Sequence, residues 1–240
     1  MKIREILKRA FMPRQCILCK EVIDYDQEMP FCESCMVEWL ANLDLMCGTC
    51  GFDAENCICL PEGVREINHS IASFGVFYTP KAMTPVNRIV YRLKRDYKLE
   101  VIRFCANIIY QRALKLCEKY KIDYSDFCVT FPPRKYDSVK KYGYDHAELL
   151  AKEFAKLMGL ELIKVFENVG EKEQKSLTKK QRLANAASSF ELLDGLQLKG
   201  KSLFLIDDVM TTGATLHVCA RMLRHKGVKT IIPITFAKDM

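Results

Sequence analysis

The stretch Leu203-Phe204-Leu205-Ile206-Asp207-Asp208-Val209-Met210-Thr211-Thr212-Gly213-Ala214-Thr215-Leu216 carries the clearest chemistry in the sequence. Four apolar residues deliver two adjacent carboxylates, and a run of hydroxyls around one glycine follows. At the carboxyl end of a strand in an open α/β sheet, Asp207 and Asp208 would face the 2′ and 3′ hydroxyls of a ribose. Residues Thr211, Thr212, Gly213, Ala214 and Thr215 would open a helix whose hydroxyls and closely spaced backbone N–H groups cradle a phosphate dianion. A Mg2+ ion would be held mainly by oxygens of the ligand, as hard cations prefer. The bland alternative is an acidic strand end followed by an N-capped helix. Both carboxylates are expected at the strand end, outside the core.

Eight of the twelve cysteines fall between positions 16 and 59, as Cys16-x-x-Cys19, Cys32-x-x-Cys35, Cys47-x-x-Cys50 and Cys57-x-Cys59. Thiols two residues apart form a knuckle that offers two thiolates to one tetrahedral ion, and a second knuckle a dozen residues later completes a four-cysteine zinc site. Cys16, Cys19, Cys32 and Cys35 fit that pattern, as a structural Zn2+ site with no open position for substrate. Cys47, Cys50, Cys57 and Cys59 offer a possible second site with a less usual Cys-x-Cys arm. Interleaved pairing, a disulfide framework and an iron–sulfur cluster are alternatives that spacing leaves open. Cys105, Cys117, Cys128 and Cys219 stand in apolar contexts and read as small core residues.

The elements that must position these groups follow from hydrophobic periodicity. Residues 71–78, 127–131, 160–166, 203–206 and 229–236 read as strands; 86–116, broken near Arg95–Lys98, together with 144–158 and 213–226, read as helices. The alternation predicts an α/β domain, a parallel sheet flanked by helices, over 63–240, preceded by a cysteine-rich module over 1–62. Composition is that of an ordinary globular chain, with 49% hydrophobic and 28% charged residues and no low-complexity tract. No run of about 18 apolar residues offers a membrane span, and Met1–Phe11 reads as a short amphipathic helix without a signal-peptide core, so a cytoplasmic location is expected.

Charge is unevenly distributed. Residues 1–60 hold 6 Lys+Arg against 10 Asp+Glu, a net −4, which leaves +11 for the remainder of a chain whose total is +7. Within 81–121 stand 11 basic side chains against Asp96, Glu100 and Glu118, either a solvated helix face or a surface for phosphates or nucleic acid. The segment Pro132–Tyr144 adds Arg134, Lys135, Lys140 and Lys141 among Tyr136, Tyr142 and Tyr144. That mixture suits a pyrophosphate or single-stranded nucleic acid, or is plain surface. His146 is expected to open or cap the following helix.

On the strand, acidic pair and Thr-Thr-Gly-x-Thr loop of 203–216, the chain resembles the phosphoribosyltransferase family, and the fold expected is that family's type I sheet. With the cysteine-rich front end it is similar to one branch, the ComF-type competence proteins. That likeness adds Arg92-Leu93-Lys94-Arg95-Asp96, Phe131-Pro132-Pro133-Arg134, and Lys140–Tyr144 leading into Ala147-Glu148-Leu149-Leu150-Ala151. It further includes Gln174–Leu177, Gln181, Arg182, Asn185 and Phe190. Two departures are Tyr144-Asp145-His146 in place of Phe-Asn-Gln, and Phe131 before the proline pair. The resemblance implies phosphoribosyl pyrophosphate with Mg2+ as ligand, ribose on Asp207 and Asp208, phosphate on Thr211–Thr215, and Lys94 and Arg134 in the same site. It also implies a part in DNA uptake during natural transformation, with single-stranded DNA and a helicase of the uptake machinery as partners. The rival from the enzyme class is an active phosphoribosyltransferase that passes ribose 5-phosphate to an amine or base, although no base-specificity segment is recognisable after Phe236. A third reading keeps the loop as a sensor in an interaction protein.

Overall fold

A computed structural model describes residues 13–67, 71–169 and 189–240. The first helix, α1 (Glu33–Leu43), lies within the cysteine-rich segment, and a single turn, α2 (Glu62–Arg65), closes it. There follow β1 (Ser73–Tyr78), α3 (Pro85–Arg95), α4 (Leu99–Tyr120), β2 (Phe127–Thr130), α5 (Tyr136–Tyr142), α6 (His146–Met158) and β3 (Glu161–Leu162). Beyond them lie β4 (Phe166–Asn168), β5 (Phe190–Leu192), β6 (Ser202–Met210), α7 (Ala214–His225) and β7 (Thr230–Asp239). Five strands form one parallel sheet in the order β1-β7-β6-β2-β3, and β4 and β5 pair antiparallel.

Alternation along β6 explains the layers. Phe204 and Ile206 point into one core with α3, α4 and α6, while Leu203 and Leu205 point into another with α2, α7 and the β4–β5 pair. Each residue is fully buried, as expected of a central parallel strand covered on both faces. The connection from β2 to β3 runs through α6 on the first face and that from β6 to β7 through α7 on the second, so β2 and β6 flank a topological switch point. The last β2–β6 pair is Thr130 with Leu205, and β6 continues past it with only β7 beside it. A crevice therefore opens at the carboxyl ends of β2 and β6, the place where such sheets bind ligands.

Several expected boundaries shift. The strand expected over 203–206 extends to Met210. The one expected over 160–166 is two short pieces, with Phe166 in the separate pair. Helices α1, α2 and α5 had no clear periodic signal because each is short or packed on one narrow edge. The break near Arg95–Lys98 separates α3 from α4 as expected, with Asp96 and Lys98 in extended conformation.

The cysteine-rich segment packs on the sheet domain through aromatic contacts. Phe31, Trp39 and Phe104 of α4 stack with centroids 5.1–5.4 Å apart. Arg14 pairs with Glu100 at 2.7 Å, Lys115 with Glu55 at 2.7 Å, and Arg88 with Glu38. Two of its knuckles share one backbone form. Cys16 N–H donates to Glu21 O and Cys47 N–H to Phe52 O, both at 2.8 Å, and in each the fourth residue after the cysteine, Lys20 or Gly51, is left-handed. The sequence shows no such repeat, because only the cysteines are common to the two turns.

Candidate functional site

The crevice holds a cavity of about 420 Å³. It is walled by Tyr78 at the end of β1, Lys94 on α3, Pro132–Arg134 after β2, His146 on α6, Asp207 and Asp208 on β6, and Thr211 and Thr215 of the following loop. Of the expected ligand-binding residues, Asp207, Asp208, Thr211, Thr215, Lys94 and Arg134 thus share one cavity. Thr212 and Ala214 face a neighbouring cleft instead, and Gly213 is buried beneath the loop. Gly213 caps α7 with φ +72 and offers no capping side chain, Ala214 N–H donates to Thr212 Oγ1 at 3.4 Å, and the first turn holds no acid, so the positive end of α7 is not neutralised by a carboxylate.

Asp208 is not the solvent-facing carboxylate expected at a strand end. It is 5% exposed, and its Oδ2 lies 2.7 Å from Lys94 Nζ and 3.1 Å from His146 Nε2. Its Oδ1 accepts from the Val209 backbone N–H at 2.7 Å. Burial by itself would push this carboxyl up, but Lys94 and then His146 hold it well below the usual carboxylate range. Asp207 goes the other way: burial, followed by the charge of Asp208, pushes it well above that range. The Asp208 N–H donates to Asp207 Oδ1 at 2.8 Å, which fixes the two carboxyls side by side. For Lys94, burial works against the charge and Asp208 more than restores it, so its value is raised. The two adjacent carboxyls, one held low and the other pushed up, face the same cavity and can both hydrogen-bond a vicinal diol.

For His146 the sequence favours a helix-opening or capping role over a catalytic one. It does open α6, but Asp145 does the capping, accepting from Ala147 N–H at 2.9 Å and Glu148 N–H at 3.3 Å. The His146 ring instead turns to Asp208, and its buried Nδ1 has no protein partner. The signal lay in the helix start itself, because the first residue of α6 points back across the switch point toward β6. Tyr144 is buried as well, its hydroxyl donating to Leu93 O at 3.1 Å, which withdraws it from the aromatic surface expected on this loop. Arg134 donates to Lys94 O at 2.8 Å and its guanidinium lies 4.6 Å from the Tyr142 ring centre, so it is braced at the cavity edge. Of the residues carrying the resemblance, Gln174–Leu177, Gln181, Arg182 and Asn185 lie outside the described residues; Phe190 lines the cavity.

The cysteines gather as Cys16, Cys19, Cys32 and Cys35 and as Cys47, Cys50, Cys57 and Cys59, sequential groups rather than interleaved ones. Within each group the sulfurs lie within 4.8 Å of one another, with Cys19 and Cys32 at 3.4 Å and Cys50 and Cys57 at 3.8 Å. Four thiolates at tetrahedral Zn–S distances would have sulfurs about 3.8 Å apart, so both clusters can hold a metal ion. Backbone N–H groups, Cys50 first, draw the Cys47 thiol down to about 6, giving that cluster one ready thiolate. Cys105, Cys117, Cys128 and Cys219 are buried core residues, as expected.

Among the described residues no helix is long and apolar enough to cross a membrane. Five of the eleven cations in the run 81–121 are paired, Arg88, Arg112 and Lys115 with Glu38 and Glu55 of the cysteine-rich segment, Arg103 with Glu153, and Lys94 with Asp208, while Lys81, Arg95, Lys98, Lys119 and Lys121 stand exposed.

Residues 138–240 match the phosphoribosyl transferase domain family. The chain is also similar to Competence protein F of Haemophilus influenzae, at 23% identity over 150 residues, covering 61% of this chain and 65% of that protein. The match therefore spans a little under two thirds of that relative. Among solved structures, a hypoxanthine phosphoribosyltransferase of Staphylococcus aureus aligns at 13% identity and TM-score 0.35, over 57% of this chain and 72% of that one. That of Trypanosoma cruzi aligns at 12% and 0.37, over 59% and 75%. The match to the phosphoribosyl transferase domain family takes in the acidic pair on β6 and the loop that follows it, while β1, β2 and the two four-cysteine clusters precede the matched stretch.

Proposed function

We propose that the crevice binds phosphoribosyl pyrophosphate with Mg2+, and that the chain serves DNA uptake in natural transformation with single-stranded DNA as its partner. The observation that carries the first part is the pairing of Asp207 and Asp208 at the switch point with the N-terminus of α7 one loop away. The 5′-phosphate sits at Thr211 and Thr215, the two loop residues that reach the cavity, the ribose diol on the two carboxyls, and the pyrophosphate with its Mg2+ toward Lys94 and Arg134. Mg2+ supplies charge neutralisation of the pyrophosphate. Within the chain, Lys94 holds Asp208 ionised, and His146 orients the same oxygen. The name of the Haemophilus relative supports the competence role. Tyr136, 72% exposed beside Lys140 and Lys141, supports contact with unstacked bases. Zinc is the metal proposed for the cysteine clusters, because four thiolates at tetrahedral spacing suit it.

A second reading, an active phosphoribosyltransferase, is favoured by one feature. A cleft of about 990 Å³ adjoins the loop through Thr211, Thr212 and Ala214 and is walled on its far side by Thr49 and Cys59, giving room for an acceptor. Calorimetric titration with phosphoribosyl pyrophosphate and Mg2+, beside a single-stranded oligonucleotide, tests the binding reading. Binding of the sugar phosphate that Asp207→Asn loses is expected; no heat from the sugar phosphate would overturn it. Deletion of the gene separates the roles, with loss of transformation expected and a nucleobase requirement pointing to the enzyme.

A further inference from the structure

The phosphate loop leans on the cysteine-rich segment. Gly213, the N-cap of α7, is buried with φ +72, and a Cβ placed there would stand 2.5 Å from Val64 Cγ2 and 3.3 Å from Pro61 Cβ. The α2 turn is thus in direct contact with the loop backbone, and Val64 is fully buried there. One turn into α7, the His217 Nδ1–H donates to Gly63 O at 2.9 Å, with Glu66 Oε2 3.5 Å away. Two anchors, one apolar and one polar, therefore fasten the start of α7 to residues 61–64. Those residues follow directly on Cys57 and Cys59, with Leu60 N–H donating to Ile58 O at 2.9 Å. Only Leu60 separates the last cysteine of the second cluster from Pro61. The first cluster has no such route, since Cys16, Cys32 and Cys35 pack with the core on the α4 side of the sheet.

We infer that the second cluster, Cys47, Cys50, Cys57 and Cys59, is a metal-dependent clamp on the phosphate loop, acting through Pro61–Val64 and His217. A thiophilic divalent ion bound by the four sulfurs fixes residues 57–59, these fix Pro61–Val64, and Val64 and Gly63 hold Gly213 and His217. Without the ion the four sulfurs have no common partner, and the chain between Cys57 and Pro61 regains conformational freedom that reaches the loop. The coupling is reciprocal by thermodynamic necessity, so an anion on the loop also retains the ion. This last consequence rests on the loop being a ribose-phosphate site; the clamp itself does not. Pro61–Val64 and His217 are positioning residues, since they touch the loop and not its ligand.

The test compares three variants of the full chain: Cys57→Ser with Cys59→Ser, Val64→Ala, and Cys16→Ser with Cys19→Ser as control. Metal is counted by plasma mass spectrometry, amide hydrogen exchange is followed at residues 211–217, and phosphoribosyl pyrophosphate with Mg2+ is titrated calorimetrically. Loss of the second ion is expected to speed exchange at 211–217 and to weaken the sugar phosphate about 30-fold, the middle of the usual range for coupled sites. Val64→Ala, which keeps both ions, is expected to speed exchange at the same amides. Removing the first ion is expected to leave them near wild type. Unchanged exchange at 211–217 after loss of the second ion, or equal change on loss of the first, would overturn the clamp. If exchange responds as expected but wild type binds no sugar phosphate, the clamp stands and the ribose-phosphate reading of the loop fails.

Discussion

Replacing Lys94 by Met removes the cation 2.7 Å from Asp208 while keeping the apolar stem. Deleting one partner of a fully buried ion pair strands a charge and costs about 3–5 kcal/mol, whereas a fully exposed pair is worth at most about 1 kcal/mol. This pair falls between. The Lys94 side chain is 38% exposed, so water screens part of the interaction, and His146 Nε2 remains 3.1 Å from the carboxylate. A loss of about 2 kcal/mol at neutral pH is expected, roughly 30-fold in the folding equilibrium. The pH dependence follows from the two shifted groups. Asp208 is held low in the folded state, so its contribution is complete above the unfolded carboxylate value of about 3.9 and is lost as pH falls toward the folded value. Lys94 is raised, so its contribution is complete below about 10.4 and is lost above it. The gap between wild type and variant should be flat from about pH 5 to 9 and should narrow by pH 3. Urea unfolding followed by far-UV circular dichroism at pH 7 and pH 3 measures it. A variant as stable as wild type at pH 7, or a deficit unchanged at pH 3, would refute the assignment of the pair as the support of Asp208.

Asp207→Asn keeps the oxygen that accepts from Asp208 N–H and removes an acid raised by burial and by its neighbour. Because a raised carboxyl loses stability as pH climbs past its unfolded value, the variant should melt at a higher temperature than wild type above about pH 5 while its sugar-phosphate affinity falls. A lower melting temperature there would count against the shift. Trp39→Ala empties a site 2% exposed between Phe31 and Phe104 and should cost about 3–5 kcal/mol, read by thermal melting. An unchanged midpoint would mean the cysteine-rich segment is not seated on α4. Cys16→Ser with Cys19→Ser should lower bound metal by one equivalent and leave the second cluster loaded; loss of both would join the clusters energetically.

Much of the site was legible because its chemistry is local. Strand, acidic pair and threonine-rich loop are consecutive residues, so β6 and α7 fix their mutual placement whatever the rest of the chain does. Cys-x-x-Cys spacing likewise declares a knuckle, since two thiolates must converge on one point. What the sequence hid is carried by residues far apart in it. Lys94 enters the site through the family resemblance alone, and its meeting with His146 and Asp208 exists because the last turn of α3 and the first residue of α6 come together at the switch point. Nothing in the periodicity of either helix marks the side chain that turns inward. The burial of Asp208 was missed for the same reason, as β6 runs on past β2 and carries its carboxylate under α6. Pairing of the cysteine clusters required the fold as well, because spacing admits interleaving equally.

The charge pattern shows how far a linear reading can mislead about partners. The excess of +11 outside the first 60 residues admits a solvated face or a surface for polyanions, and the −4 of those 60 reads as a property of a separate module. In three dimensions the two are opposite sides of one interface, where Glu38 and Glu55 meet Arg88, Arg112 and Lys115. Those cations are spent locally. Cations left for a polyanion include exposed Lys98, Lys119 and Lys121 and, at the crevice mouth, Arg134 braced on Tyr142 with Lys140 and Lys141 on α5. A single strand approaching at the crevice mouth would meet counter-charges for its phosphates beside the proposed ribose-phosphate cavity. DNA affinity should accordingly be more sensitive to Lys140 and Lys141 than to Lys115, and the sugar phosphate and the oligonucleotide should compete through the shared field of Arg134.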